Sequence, residues 1–314
     1  MSTNSVSVVM PVHNGQQFIR QSIQSALDQV GCEVELIVVD DGSTDNTAQI
    51  VRSFGARVRY VFQANAGPAA ARNAGIEFAQ HEWIAFLDAD DLWTSDKLSR
   101  QLKLAQDIDA QLVYSNTRNF GSDDVDELRS VPDQMPAGDV YHHLLLDNFV
   151  TLSSVLIRRE TLISVDGFRT SYRGTEDWDL WLRLSSAGVE FHPIREPLVQ
   201  YRWLDNSLSK SHRRMKELRE QTLNAALSRR ASNWVTRRRA RANVLATSAW
   251  FCQKSSPRLS QRWYWAAVVQ WPLSMNTWKS LLAASLRRLT PMPSRPAITN
   301  REFLPIVGAA DSRA

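Results

Sequence analysis

Four strand-length apolar runs, Val6 to Pro11, Val34 to Val39, Val58 to Phe62 and Trp83 to Leu87, alternate with helix-spaced segments. No other feature narrows the folds open to this chain so far. Phe18, Ile19, Ile23, Ala26 and Leu27 recur at helical spacing after the first run, and Ser43 or Thr44 can cap a second helix reaching about Phe54. Pro68 to Phe78 reads as a third helix. Strands that are apolar throughout are buried on both faces. The alternation therefore predicts an α/β protein with a mostly parallel central sheet and helices on both faces.

Two of these strands end abruptly in acids, at Asp40-Asp41 and at Asp88, Asp90 and Asp91. In a parallel sheet both ends lie along one edge, where open α/β sheets place their chemistry. Three carboxylates within four residues repel one another, which is costly beside a buried strand unless a cation compensates. Asp88 and Asp90 are two apart, so in an extended backbone they point the same way and can share one ion. Oxygen ligands suit Mn²⁺ or Mg²⁺, which completes its shell with water and substrate phosphates. A plainer reading, an acidic turn that caps the next helix, is equally open to the triplet alone. Two acidic ends facing one crevice suggest a nucleotide-diphosphate site, with one acid near the base or ribose and the other near phosphate and metal. The stretch Asn65 to Gly75 adds small residues at a helix start, Gly67 among them, where a ligand can approach the backbone. Arg72 supplies a cation to the same crevice, unless it is a surface helix residue.

The chain has 314 residues, more than one domain usually holds, so a main domain with an appendage is expected. Its net charge of +4 hides a division. Residues 206–314 carry 20 of the 37 Lys and Arg but 4 of the 33 Asp and Glu, leaving an acidic body and a basic tail. The expected organisation is a catalytic unit over 1–205, a basic, Trp-rich helical extension over 206–289, and a loosely ordered tail over 290–314, where Phe303, Leu304 and Ile306 can dock. Cys32 and Cys252 lie far apart and form no redox or metal motif, which fits a reducing cytoplasm. Met1 to Ser7 lacks the basic start and apolar core of a secretory signal.

The rest of the body offers strand candidates at Ala110 to Tyr114, Ser153 to Ile157 and Pro197 to Trp203. Between the first two, Thr117 to Gly138 is polar and holds Asp123, Asp124 and Asp126, so it reads as a variable excursion. Gly174 to Leu184 is helical by its stripe of Trp178, Trp181 and Leu182, with Glu176 and Asp177 in the first turn. Acids there either complement the helix dipole or perform chemistry. In the extension, Arg213 to Ala226 and Ser232 to Cys252 read as helices, followed by Trp263, Trp265, Trp271 and Trp278. The apolar run from Trp263 to Met275 is too short and interrupted to span a bilayer. Arginine interleaved with tryptophan suits a helix lying on an anionic membrane surface; the competing reading is a bundle packed on the catalytic unit. Nucleic-acid binding has only the basic charge in its favour.

Val8 to Gly15, Val38 to Asp45, Gly67 to Gly75 and Phe86 to Trp93 together resemble the successive signatures of family 2 glycosyltransferases, over roughly residues 5–205. The resemblance implies the A-type glycosyltransferase fold, a nucleotide-diphosphate-sugar donor, usually of uridine, and inversion at the anomeric carbon. It places Asp40 or Asp41 at the base, Arg72 beside the base or diphosphate, and Pro11, Val12, Asn14, Gly67 and Ala89 around the nucleotide. Asp88 and Asp90 form its Asp-X-Asp motif, Asp90 as the metal ligand and Asp88 on ribose or sharing the metal. Asp177, with Glu176 beside it, is the implied catalytic base. The chain departs from the pattern at Leu204, where many relatives carry a histidine. That leaves Arg202 and Lys210 as candidate phosphate contacts, Trp178 as an acceptor contact and His212 as a distant substitute. The expected function is transfer to a hydroxyl of a glycan or lipid-linked glycan, in cell-surface polysaccharide synthesis at the inner face of the membrane. A sugar nucleotidyltransferase and a non-catalytic sugar-nucleotide binder are the alternatives.

Overall fold

The computed structural model describes residues 4–121, 127–203, 212–253 and 255–286. Strands β1 (Ser5–Val12), β2 (Glu33–Asp41), β3 (Val58–Gln63) and β4 (Trp83–Phe86) alternate with helices α1 (Ile19–Leu27), α2 (Thr47–Arg52) and α3 (Pro68–Phe78). These four strands are mutually parallel in the order β3-β2-β1-β4. Beyond them come β5 (Leu92–Trp93), α4 (Lys97–Asp107), β6 (Leu112–Phe120), α5 (Tyr141–Leu146), β7 (Val155–Arg158), α6 (Arg159–Ile163), α7 (Glu176–Ser186) and β8 (Phe191–Arg202). They extend the sheet to eight strands, ordered β3-β2-β1-β4-β7-β6-β8-β5. The second half is mixed: β7 runs antiparallel to both β4 and β6, and β8 is parallel to β6.

Both sheet faces are covered, as the apolar strands require. Val8 and Met10 of β1 pack with Ile19 and Ile23 of α1 and Leu98 and Leu102 of α4 on one side, while Val9 packs with Ala71 and Ile76 of α3 on the other. Helix α3 sits hard against the sheet. A Cβ on Gly75 would lie 2.3 Å from Cγ1 of Val9, so only glycine permits this approach. At the start of the same helix Gly67 takes φ 93° ahead of Pro68.

Three local expectations change. The second helix starts at Thr47, because Ser43 and Thr44 bond to Asn14 of the β1–α1 loop instead of capping it. Strand β6 continues to Phe120, so the polar excursion begins later than Thr117. Strand β8 begins at Phe191, six residues before the sequence suggested, with Pro193 in regular register opposite Tyr114 and Pro197 at a register shift opposite Asn116.

Four helices follow: α8 (His212–Arg229), α9 (Trp234–Cys252), α10 (Pro257–Gln270) and α11 (Met275–Leu286). Leu223, Ala226 and Leu227 of α8, with Ala240 and Val244 of α9, join the same core as α5 and α7. The boundary expected near residue 205 therefore does not separate two cores. Only α10 and α11 build a cluster apart, around Trp263, Tyr264, Val268 and Leu281, closed by Ala249 and Cys252 of α9. None of the described helices is long and apolar enough to cross a membrane. Leu204, Lys210, the acids Asp123, Asp124 and Asp126, and the tail over 290–314 lie outside the described residues.

Candidate active site

The loops at the carboxyl ends of β1 and β2 are knitted together. Asn14, at φ 54°, donates its N–H to Ser43 Oγ at 2.9 Å and accepts the Thr44 N–H on Oδ1 at 2.8 Å. Gly15 N–H donates to Thr47 Oγ1 at 2.9 Å, and Ala89, at the end of the β4 segment, accepts Ser22 Oγ at 2.9 Å. Asp40 and Asp41 are both buried. Asp40 accepts the Tyr60 hydroxyl at 2.7 Å and the Ser43 N–H at 2.8 Å. Asp41 accepts Gln63 Nε2 at 2.7 Å and the N–H groups of Ala66 and Gly67, each at 2.8 Å. These bonds hold the loops at the mouth of β1, with Pro11 and Val12 at the strand's end.

The acids after β4 form a turn, with the Asp91 N–H donating to the Asp88 carbonyl at 3.1 Å. They are not side by side on extended backbone, and the turn gives each a different environment. Asp91 is fully buried, accepting Ser153 Oγ at 2.6 Å and the Arg202 N–H at 3.0 Å. Burial, then Asp88 and Asp90, hold its carboxyl well above the usual range, so it ties the turn to β8 and the segment before β7. Asp90 faces the cleft, pushed up to about 6 by burial and by Asp88, with Arg202 pulling it back.

Asp88 accepts Arg72 Nη2 at 2.8 Å, while Nη1 of the same guanidinium reaches Glu176 Oε1 at 3.0 Å. Arg72 thus bridges two acids 88 positions apart in the chain. It is 6% exposed, with its guanidinium 5.6 Å from the Phe168 ring centre. Phe168 is itself fixed: Asn73 Nδ2 donates to its carbonyl at 2.7 Å, and its N–H returns a bond to Asn73 Oδ1 at 2.8 Å. Beside Glu176, Asp177 accepts Asn148 Nδ2 at 2.9 Å. Burial, then Glu176, raise the Asp177 carboxyl, and Asn148 and Arg72 moderate the rise.

Arg72, Asp88, Asp90, Glu176 and Asp177 all line one cleft of about 380 Å³. Its other walls come from Tyr201 and Trp203 of the β8 region and from α8 and α9. Trp178 and Arg202 line it too, but their polar groups are engaged elsewhere. The Trp178 indole donates to the Leu144 carbonyl at 2.7 Å. Arg202 bonds the Asp90 carbonyl at 2.9 Å and Gln21 at 3.0 Å, stacked between Phe18 and Phe120, so it clamps the acidic turn. His212 shares a bond with Ser255 at 2.7 Å and is not among the cleft residues.

Among the described residues no group of three His, Cys, Asp or Glu side chains surrounds a common point. Asp90 and Asp88 would be the candidate donor pair for a divalent ion, with ligand phosphates and water needed to complete its shell. The raised Asp90 carboxyl fits that role, since a cation relieves the charge that burial and Asp88 oppose. Ser153, Asn148, Tyr60 and Gln63 were not visible as site residues in the sequence. Each is an ordinary polar side chain whose partner lies on a distant segment.

The profile of glycosyl transferase family 2 matches residues 7–155. A Bacillus subtilis glycosyltransferase named for teichuronic acid biosynthesis is 31% identical over 210 residues, 65% of this chain and 81% of that protein. An Erwinia amylovora glycosyltransferase named for amylovoran biosynthesis is 29% identical over 218 residues, 64% of this chain and 70% of that protein. An uncharacterised glycosyltransferase of Rickettsia felis is 33% identical over 184 residues, of which the match spans 30%. Among solved structures, S. aureus TarS 1–349 in complex with UDP matches with TM-score 0.63 and 18% identity over 90% of this chain and 87% of that one. A Pyrobaculum calidifontis mannosyltransferase in complex with GDP-Man and Mn²⁺ matches with TM-score 0.55 and 17% identity over 89% and 84%. The fold is the A-type glycosyltransferase fold expected above.

Proposed function

The chain belongs to glycosyl transferase family 2 and is a glycosyltransferase, and on that footing we propose that it moves a sugar from a nucleoside-diphosphate donor, UDP-linked, to an acceptor hydroxyl with inversion. The acceptor is a glycan or lipid-linked glycan of a cell-surface polysaccharide, a reading supported by the relatives named for teichuronic acid and amylovoran biosynthesis. The observation that carries the proposal is the Arg72 bridge, which joins the acidic turn after β4 to the acidic start of α7 in one cleft.

The geometry supports the following division of labour. The turn Asp88 to Asp91 and the loops held by Asp40, Asp41 and Asn14 frame the donor. Asp90 with Asp88 would hold Mn²⁺ or Mg²⁺, which would supply positive charge for the diphosphate leaving group. Asp177 takes the proton from the acceptor hydroxyl, which is otherwise a weak nucleophile. Its partly buried carboxyl, held above the usual range, is a better proton acceptor than a solvated aspartate. Arg72 and Glu176 fix the start of α7 so that the base stands in the same cleft as the donor turn. A screen of nucleotide sugars, scored by released nucleoside diphosphate with and without Mn²⁺, tests the proposal. Metal-dependent release from at least one UDP-sugar is expected; release of pyrophosphate from a nucleoside triphosphate and a sugar 1-phosphate, with no nucleoside diphosphate freed from any nucleotide sugar, would indicate nucleotidyl transfer instead.

The enzyme works at the cytoplasmic face of a membrane. Along α10, Arg258, Arg262, Trp265 and Val269 share an exposed face, and Met275, Lys279 and Leu282 do so on α11. No acid occurs between Glu220 and Glu302. Basic and large apolar side chains on one face suit an anionic lipid surface. Trp265→Ser with Leu282→Ser should weaken co-sedimentation with phosphatidylglycerol vesicles; unchanged partitioning counts against this placement.

A further inference from the structure

The two helices that follow the catalytic unit do more than pack on it. Asn243, Thr247 and Phe251 stand at successive four-residue steps of α9, on one face, and all three line the cleft that holds Asp177. Met215 and Arg219 repeat the arrangement on α8. The wall is fastened where it matters. Thr175, the residue before Glu176, shares a bond with Thr222 of α8 at 2.9 Å, and Met215 packs where a Cβ on Gly174 would meet its sulfur at 3.0 Å. Asn243 Nδ2 donates to the Leu146 carbonyl at 3.1 Å, two residues before Asn148, whose amide holds Asp177. The Tyr141 hydroxyl on α5 donates to the Ala226 carbonyl at 2.5 Å, locking α8 to α5. Helices α8 and α9 are thus held in fixed register with the base.

Resting on the transferase reading above, we propose that α8 and α9 form the acceptor subsite and that its ligand is a sugar ring. Asn243 and Thr247 present an amide and a hydroxyl, groups that pair with sugar hydroxyls as donor or acceptor. Phe251 and Trp203 present aromatic surface to the apolar C–H face of a ring, with the Arg219 guanidinium 4.9 Å from the Phe251 ring centre. A few polar groups on an apolar wall is the composition of a site that orients a ligand. The acidic turn offers carboxylates, whereas α8 and α9 offer amide, hydroxyl and ring. The two sets of groups are chemically distinct, as two different substrates require.

The test uses the full chain, with octyl β-glycosides of the common hexoses as acceptor probes and UDP as donor probe. Saturation-transfer NMR reads ring binding, and calorimetry reads UDP affinity. In the wild type, ring protons of at least one glycoside receive saturation. In Phe251→Ala and in Asn243→Ala that signal falls at least fivefold, while UDP affinity stays within twofold and the melting temperature is retained. Thr247→Ser, which keeps the hydroxyl, preserves ring binding. Ring binding that survives both alanine variants, or no ring bound by the wild type, overturns the subsite. Failure of the wild type to release UDP from any UDP-sugar refutes the transferase reading instead, and the ring signal still judges the wall as a sugar site.

Discussion

Replacing Arg72 by methionine keeps most of the side-chain volume and removes the charge that bridges Asp88 and Glu176. The guanidinium is 6% exposed and bonds both carboxylates, at 2.8 and 3.0 Å. Breaking a buried pair leaves uncompensated charge and costs about 3–5 kcal/mol. With an unfolding entropy of ~2.1 cal/mol/K per residue over 314 residues, that loss lowers the melting temperature by about 5–8 °C. Thermal unfolding of both proteins at pH 7 measures it, and Arg72→Lys, which restores the charge without the fork, should recover part of the loss. A deficit below 1 °C would refute the bridging role.

Gly75→Ala should destabilise by about 1–3 kcal/mol, since its Cβ would fall 2.3 Å from Val9 Cγ1 on a buried strand, and urea unfolding with an unchanged midpoint would show that α3 moves freely. Lys97 is fully buried, with Nζ 2.7 Å from Gln101 Oε1 and 4.0 Å from the Trp93 ring, and burial holds its pKa well below the ordinary 10.5. The unfolded chain then binds the extra proton, so the wild type should gain stability relative to Lys97→Met as pH rises from 7 towards 10.5; a pH-independent difference would contradict a neutral buried amine. The rate of transfer should rise with pH through a midpoint above the usual aspartate range, because burial and Glu176 hold the Asp177 carboxyl up. Asn148→Ala, which removes a bond to the ionised form, should move that midpoint higher; a pH profile unchanged by the variant would detach it from Asp177.

The first half of the fold was legible because its strands are uniformly apolar and its loops carry distinctive residues. Helix α3 keeps the bounds Pro68 to Phe78 read from the sequence. The second half was harder to read. Pro193 and Pro197 hid the early part of β8, since a proline ordinarily interrupts a strand; Pro197 sits at the register shift against β6, while Pro193 keeps regular register opposite Tyr114. Asp91 looked like a turn cap, and nothing local to it announces Ser153 or the backbone of Arg202 as partners. The acids at Asp88 and Glu176 were each visible, whereas the guanidinium joining them depends on packing between segments 104 residues apart in the chain. Charge asymmetry set the extension apart as a basic tail, yet Leu223, Ala226, Ala240 and Val244 place α8 and α9 in the catalytic core. Charge reports the solvent face of a helix and says little of the face it buries.

The central claim is that Asp177 is the base of a transfer whose donor sits at the turn Asp88 to Asp91. Asp177→Asn preserves shape and the neighbouring hydrogen-bonding geometry while removing the proton acceptor. Nucleotide affinity in the presence of Mn²⁺ should stay within twofold of wild type, and the rate of sugar transfer should fall by about 10²–10⁴. Transfer at more than a tenth of the wild-type rate would contradict the account.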